Sequence, residues 1–131
     1  MEGDPMNSSD AVLIVEDEDN LRDLLKMILE EKGIKVLVAG DGMEAVEVFQ
    51  EHKDEIGIVL SDLGLPRLGG WEAFLKMKLI NPKVKGILAS GFFNQDVRTE
   101  IIKSGAMDFI PKPYDADQVV LMIRNILDQS S

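Results

Sequence analysis

The sequence predicts an α/β fold: a doubly wound (βα)5 domain with a parallel five-stranded sheet and helices on both faces. Three observations predict it. Short continuous apolar runs such as Ala11-Val-Leu-Ile-Val15 suit strands covered on both faces, since a strand with one wet face would alternate. Between these runs lie segments whose apolar residues recur at helical spacing. The connections are short, and strands joined through helices run parallel with right-handed crossovers.

Ala11–Val15 forms the first strand, and the acidic cluster Glu16-Asp-Glu-Asp19 ends it. Leu21, Leu24, Leu25 and Ile28 then recur on one helical face as far as Gly33, a glycine suited to a C-cap. Ile34 to Ala39 reads as the second strand, with Lys35 inside it marking an edge position. Asp41 followed by Glu44 is a capping-box signature for a second helix, faced by Ala45, Val46 and Phe49. The third strand starts at Ile56 and ends at Asp62, before the turn Leu63-Gly-Leu-Pro66. Gly69-Gly70 precede a third helix with Trp71, Phe74 and Leu75 inward, stopped by Asn81-Pro82.

Val84 to Ser90 reads as the fourth strand. Asn94 caps a fourth helix carrying Val97, Ile101 and Ile102. Ala106 to Ile110 is the fifth strand, followed by the stiff turn Pro111-Lys-Pro113-Tyr114. Asp115 with Gln118 opens the last helix, faced by Val119, Ile123, Ile126 and Leu127. His52 stands alone near a helix end and is expected at the surface. Residues 1–10 are expected to be a disordered lead-in, 11–129 the domain and 130–131 a tail.

A chain of 131 residues with 45% hydrophobic and 29% charged residues has the make-up of one soluble globular domain. Its net charge of −10 argues against nucleic acid or an anionic membrane as a direct partner. The absence of cysteine excludes disulfides, thiol catalysis and cysteine-ligated metals. The first ten residues lack the basic start and apolar core of a signal peptide, and no apolar run nears the roughly 20 residues of a membrane span. A cytoplasmic location is therefore the expectation.

Five strands suit the flavodoxin-like order 2-1-3-4-5, which leaves strands two and five at the edges, in keeping with Lys35 in one and Pro111 ending the other. In such sheets ligands bind at the carboxyl ends of the strands. The tips of strands one, three, four and five converge there, gathering Glu16 and Asp17, Asp62, Ser90 and Lys112. Two carboxylates about 4 Å apart repel by about 4 kcal/mol at an effective dielectric of 20. A hard divalent cation removes that repulsion, and magnesium prefers such oxygen donors. Asp17, Asp62 and the Gly64 carbonyl suffice as direct ligands, with Glu16 acting through water.

Phosphoryl transfer to a carboxylate depends on positioning and on neutralising the transferred oxygens. Lys112 and Ser90 supply an ammonium and a hydroxyl for that purpose, and Asp62 at the end of the central strand is the candidate nucleophile. Taken singly, each residue has a plainer reading. The run Glu16–Asp19 is a solvated helix start, Ser90 a turn residue, Lys112 an exposed loop lysine and Asp62 a turn cap. Their joint occurrence at four strand tips carries the assignment.

Val12-Leu-Ile-Val-Glu-Asp17, Leu60-Ser-Asp-Leu-Gly-Leu-Pro66, Leu88-Ala-Ser-Gly91 and Asp108-Phe-Ile-Pro-Lys-Pro113 resemble the receiver domains of two-component response regulators, over about residues 11 to 128. The resemblance implies a phosphoacceptor that takes a phosphoryl group from the phosphohistidine of a histidine kinase or phosphotransfer protein. It implies Asp62 as acceptor, Glu16 and Asp17 as the acidic pair for Mg2+, Ser90 as switch hydroxyl, Lys112 as the family's lysine and Phe109 as the aromatic switch. It also implies a cis Lys112–Pro113 bond, no catalytic turnover of an external substrate, and a signal-dependent face formed by the fourth helix, fifth strand and fifth helix, read by an output partner.

Three positions depart from the family pattern. Gly64 lacks the longer side chain that tunes phosphoryl lifetime, Gly69 replaces an aspartate, and Met122 stands where receivers that dimerise through the last helix often carry arginine. An aspartyl-phosphate phosphatase of the haloacid-dehalogenase type would place its nucleophile after the first strand with a second acid two residues on, whereas Gly64 holds that second position here. A flavin or dinucleotide site would want a glycine- or hydroxyl-rich loop after the first strand, where Glu16-Asp-Glu-Asp19 repels phosphate. A pseudo-receiver would have lost a site position, and all five are present. A receiver cut from a hybrid sensor histidine kinase would share the chemistry.

Overall fold

The computed structural model describes residues 10–62, 70–90, 108–111 and 115–130. They form β1 (Ala11–Val15), α1 (Asp19–Glu31), β2 (Val36–Ala39), α2 (Gly42–Glu51), β3 (Ile56–Asp62), α3 (Gly70–Ile80), β4 (Lys85–Ser90), β5 (Asp108–Pro111) and a C-terminal helix (Ala116–Ser130). Every strand pairing is parallel and the order is β2-β1-β3-β4-β5, as the sequence predicts. The lead-in up to residue 9, the expected helix carrying Val97, Ile101 and Ile102, and residues 112–114 lie outside the described residues.

The sheet separates two apolar cores. Leu13 and Val15 of β1 pack with Phe49 of α2, Phe74 and Met77 of α3 and Leu88 of β4. Val12 and Ile14 pack on the other face with Leu25 and Leu29 of α1, Ile87 of β4 and Ile123 of the C-terminal helix. All five residues of β1 are buried, which is why that segment reads as an unbroken apolar run. The β1–β3 register shifts between Ala11 and Val12, which pair with Ile56 and Ile58. Gly57 is the extra residue of this bulge, so Ile56 joins one core and Ile58 the other. The shift sets the parity of β3 from there to Asp62.

The helix ends follow from local chemistry. Gly33, at φ 82°, donates its N–H to the Glu30 carbonyl while Ile34 donates to Leu29, a Schellman closure of α1. Asp41 caps α2 by accepting from the Glu44 N–H at 2.8 Å. Glu44 reaches back one residue beyond the cap, its Oε1 accepting from the Gly40 N–H at 2.6 Å. Asp115 caps the C-terminal helix through the Asp117 N–H at 2.9 Å rather than in a box with Gln118.

Several expectations need correction. Lys35 precedes β2 instead of lying inside it. β5 is described from Asp108, which pairs with Ile87, and runs to Pro111, one residue beyond the expected end; its expected start at Ala106 lies outside the described residues. Leu24 is 49% exposed and Leu29 takes the buried position in its place. On α3, Leu75 is 38% exposed while Ala73, Phe74 and Met77 are buried, and the Trp71 side chain lies outside what is described. Each helix residue turns about 100° from the last, so a buried stripe centred on Leu25 and Leu29 in α1, and on Ala73, Phe74 and Met77 in α3, leaves Leu24 and Leu75 outside it.

His52 is not alone. It forms the C-cap of α2, and its Nδ1 lies 2.7 Å from Glu55 Oε2, while the other Glu55 oxygen accepts from the Lys35 ammonium. Lys35 first, and His52 after it, hold the Glu55 carboxyl below its ordinary value of 4.5. A carboxylate depressed in the fold contributes stability above its ordinary pKa and loses it as pH falls through the folded value. Glu55→Gln should therefore lower stability at neutral pH and flatten the loss of stability on acidification below 4.5. Urea unfolding of both proteins at neutral and acidic pH checks this; parallel pH profiles would refute it.

Candidate functional site

The candidate site lies at the carboxyl ends of the strands. Glu16 extends β1 by one residue, its N–H donating to the Ala39 carbonyl of β2 at 3.0 Å. The pairing of Val15 with Ser61 sets Glu16 level with Asp62, the last residue of β3. Neighbouring strands are about 4.8 Å apart, so two acidic positions stand side by side across the β1–β3 ladder. Asp62 pairs in turn with Ala89, which puts Ser90 one step further along β4, and Ser90 pairs with Pro111. Phe109 lies lower in β5, opposite Leu88. The register thus brings Glu16, Asp62 and Ser90 to one end of the sheet within a single step of each other. Gly64 and Lys112 lie outside the described residues, and Lys112 directly follows Pro111.

The two acids of the β1–α1 connection differ in environment. Glu16 is buried at 2% exposure, and its Oε2 accepts from the Glu18 N–H at 3.1 Å. Asp17 is exposed. Burying a carboxylate is costly unless donors or a cation satisfy it. The backbone places Glu16, Asp17 and Asp62 at one sheet end, and by residue type all three are hard oxygen donors of the kind magnesium takes.

Ser61, also fully buried, precedes Asp62 on the opposite parity of β3. One residue near this site escaped the sequence reading. Arg22, in the first turn of α1, donates from Nη1 to the Glu16 carbonyl at 3.0 Å and from Nη2 to Asp19 Oδ1 at 2.6 Å. The i,i+3 spacing from Asp19 was a visible signal for half of this arrangement, but the bond to Glu16 depends on how the loop folds back.

The family described as response regulator receiver domain matches residues 12–124. The chemotaxis protein CheY of Thermotoga maritima is 37% identical over 116 residues, covering 88% of this chain and 95% of that protein. The sensor kinase CckA of Brucella abortus is 29% identical over 124 residues, 95% of this chain but only 13% of that protein. The chain thus spans nearly all of one relative and a small part of the other. Among solved structures, a response regulator receiver domain protein from Clostridium thermocellum superposes with a TM-score of 0.85 at 28% identity, covering 92% of this chain and 95% of that one. The CheX–CheY–BeF3–Mg+2 complex from Borrelia burgdorferi gives 0.83 at 26% identity, covering 88% and 87%. With the parallel 2-1-3-4-5 sheet and the acidic strand ends already in place, these matches are decisive: the chain belongs to the response regulator receiver domain family of two-component systems, and is CheY-like.

Proposed function

We propose that the chain is the phosphoacceptor of a two-component phosphorelay, with Asp62 receiving a phosphoryl group from a phosphohistidine on a histidine kinase or histidine phosphotransfer protein. The observation that carries this reading is the register that sets the buried Glu16 level with Asp62 at the carboxyl edge of the sheet. An Asp62 carboxylate oxygen attacks phosphorus, the P–N bond of the phosphohistidine breaks, and the electron pair returns to the imidazole nitrogen, which takes up a proton. The product is an aspartyl phosphate and a free histidine.

Asp17, Asp62 and the Gly64 carbonyl would hold Mg2+ directly and Glu16 through water. When bound, the ion offsets the repulsion among the carboxylates and the charge on the transferred oxygens. The Lys112 ammonium pairs with one of those oxygens and the Ser90 hydroxyl donates to another. The magnesium and fluoroberyllate named together in the Borrelia complex support this charge pattern.

The reading continues to the output. Phosphorylation adds about −1.5 to −2 charge, draws Ser90 toward the new oxygens and lets Phe109 rotate inward, reshaping the face that includes β5 and the C-terminal helix. The output is a change in partner affinity in the cytoplasm, without turnover of an external substrate. No described helix is long and apolar enough to cross a membrane. The match to a 13% portion of CckA favours a second setting for the same chemistry, within a longer hybrid sensor kinase.

Incubation with acetyl phosphate, read by intact mass, tests the central claim. Wild type with Mg2+ should gain one labile phosphoryl group and show none in excess chelator. A protein that gains no group under either condition would remove the phosphoacceptor reading.

A further inference from the structure

Arg22 reaches across two loops. It sits in the first turn of α1 with its side chain 19% exposed. Its guanidinium holds the Glu16 carbonyl at 3.0 Å and the Asp19 carboxylate at 2.6 Å. These are the two ends of the short segment that carries Asp17, which is itself exposed. Nη1 also lies 3.4 Å from where a Cβ on Gly40 would stand, beside Glu44 Oε1 at the same distance. The guanidinium therefore spans from the β1–α1 connection to the β2–α2 connection, whose Gly40 N–H is tied to Glu44.

Building on the magnesium reading above, we infer that Arg22 is a positioning residue for the cation site: by pinning Glu16 and Asp19 it holds Asp17 in a geometry ready for the ion. The planar fork of arginine suits the task, since two different nitrogens reach two acceptors at once and a lysine has one head group. Arg22 touches neither the ion nor the phosphoryl group; it acts through the loop.

Geometry and charge predict opposite signs here. A cation beside a metal site disfavours the metal, so removing Arg22 as a mere charge would tighten Mg2+ binding. Removing it as a clamp leaves the Asp17 segment to be ordered by the ion itself, which weakens binding. Loss of partners that orient metal ligands weakens affinity about 10- to 100-fold.

The test is a calorimetric Mg2+ titration of wild type, Arg22→Met, Arg22→Lys and Lys26→Met, with each thermal midpoint recorded in chelator. Lys26 lies on the same helix, 3.9 Å from Glu30, and serves as the charge control. Arg22→Met should bind Mg2+ about tenfold more weakly, Arg22→Lys should fall between it and wild type, and Lys26→Met should match wild type. Arg22→Met binding as tightly as wild type, or more tightly, overturns the inference even if its thermal midpoint falls. Equal weakening by Lys26→Met overturns it as well. Should Arg22→Met not fold, Arg22→Lys decides: several-fold weaker binding supports the clamp and wild-type affinity overturns it. A wild type that binds no Mg2+ overturns both this inference and the magnesium reading, whereas a binding wild type beside an unaffected Arg22 variant overturns the clamp alone.

Discussion

Asp62→Asn should take up no phosphoryl group from acetyl phosphate in Mg2+, a loss of at least about 10^4-fold in modification rate, the scale of removing a covalent nucleophile. The amide keeps the size of the side chain while removing the charge and the nucleophilic oxygen. The same substitution has a second, opposite consequence. Asp62 ends β3 level with Glu16, so neutralising it relieves like-charge repulsion at the sheet edge. Metal-free Asp62→Asn should therefore unfold at a higher temperature than metal-free wild type, and Mg2+ should stabilise it less. Intact mass and thermal melts with and without chelator measure both effects. An undiminished adduct on Asp62→Asn would sink its assignment as acceptor.

The largest effect on stability is expected between α3 and β4. Phe74 is fully buried, and a Cβ built on Gly86 would stand 2.6 Å from its Cε1 and 2.7 Å from its Cζ. The ring thus occupies the space where a side chain on β4 would be, and only glycine permits that approach. Phe74→Ala empties this volume and should cost about 3–5 kcal/mol, a large part of the roughly 5–15 kcal/mol that holds a domain together.

Gly86→Ala presses a methyl group into a ring with no free direction to move, and should cost about 1–3 kcal/mol. Phe74→Leu in the Gly86→Ala background should be less damaging than the two single changes summed, because the smaller side chain admits the new methyl. Urea unfolding of the four proteins measures the coupling. Additivity within about 0.5 kcal/mol would show that the two positions do not compete for the same space.

Much of this protein was legible before its coordinates. Unbroken apolar runs at Ala11–Val15 and Ile56–Leu60 mark buried parallel strands because a strand pressed by helices on both faces has no wet side. Asp41–Glu44 marked the start of α2 because capping is local chemistry, settled within one turn. The grouping of Glu16, Asp62 and Ser90 at one sheet end followed from strand order, which short right-handed crossovers restrict to few choices.

Other features depend on relations between segments distant in the chain. Leu24 and Leu75 are as apolar as their buried neighbours, and only the rotation of each helix against the sheet decided which residue faced inward. The bulge at Gly57 leaves no periodic trace in so short a strand, yet it sets the parity on which Asp62 falls. Lys35 comes from the α1–β2 connection and His52 and Glu55 from the α2–β3 connection, and they form one ionic cluster only after β2 and β3 flank β1.

The sequence by itself determined the described strands and helices, their parallel order and the acidic strand ends, since periodicity and connection length are local properties. Tertiary structure alone decided the helix faces, the register that sets Glu16 level with Asp62, and the reach of Arg22 from α1 to the Glu16 carbonyl, since each depends on how separate segments dock.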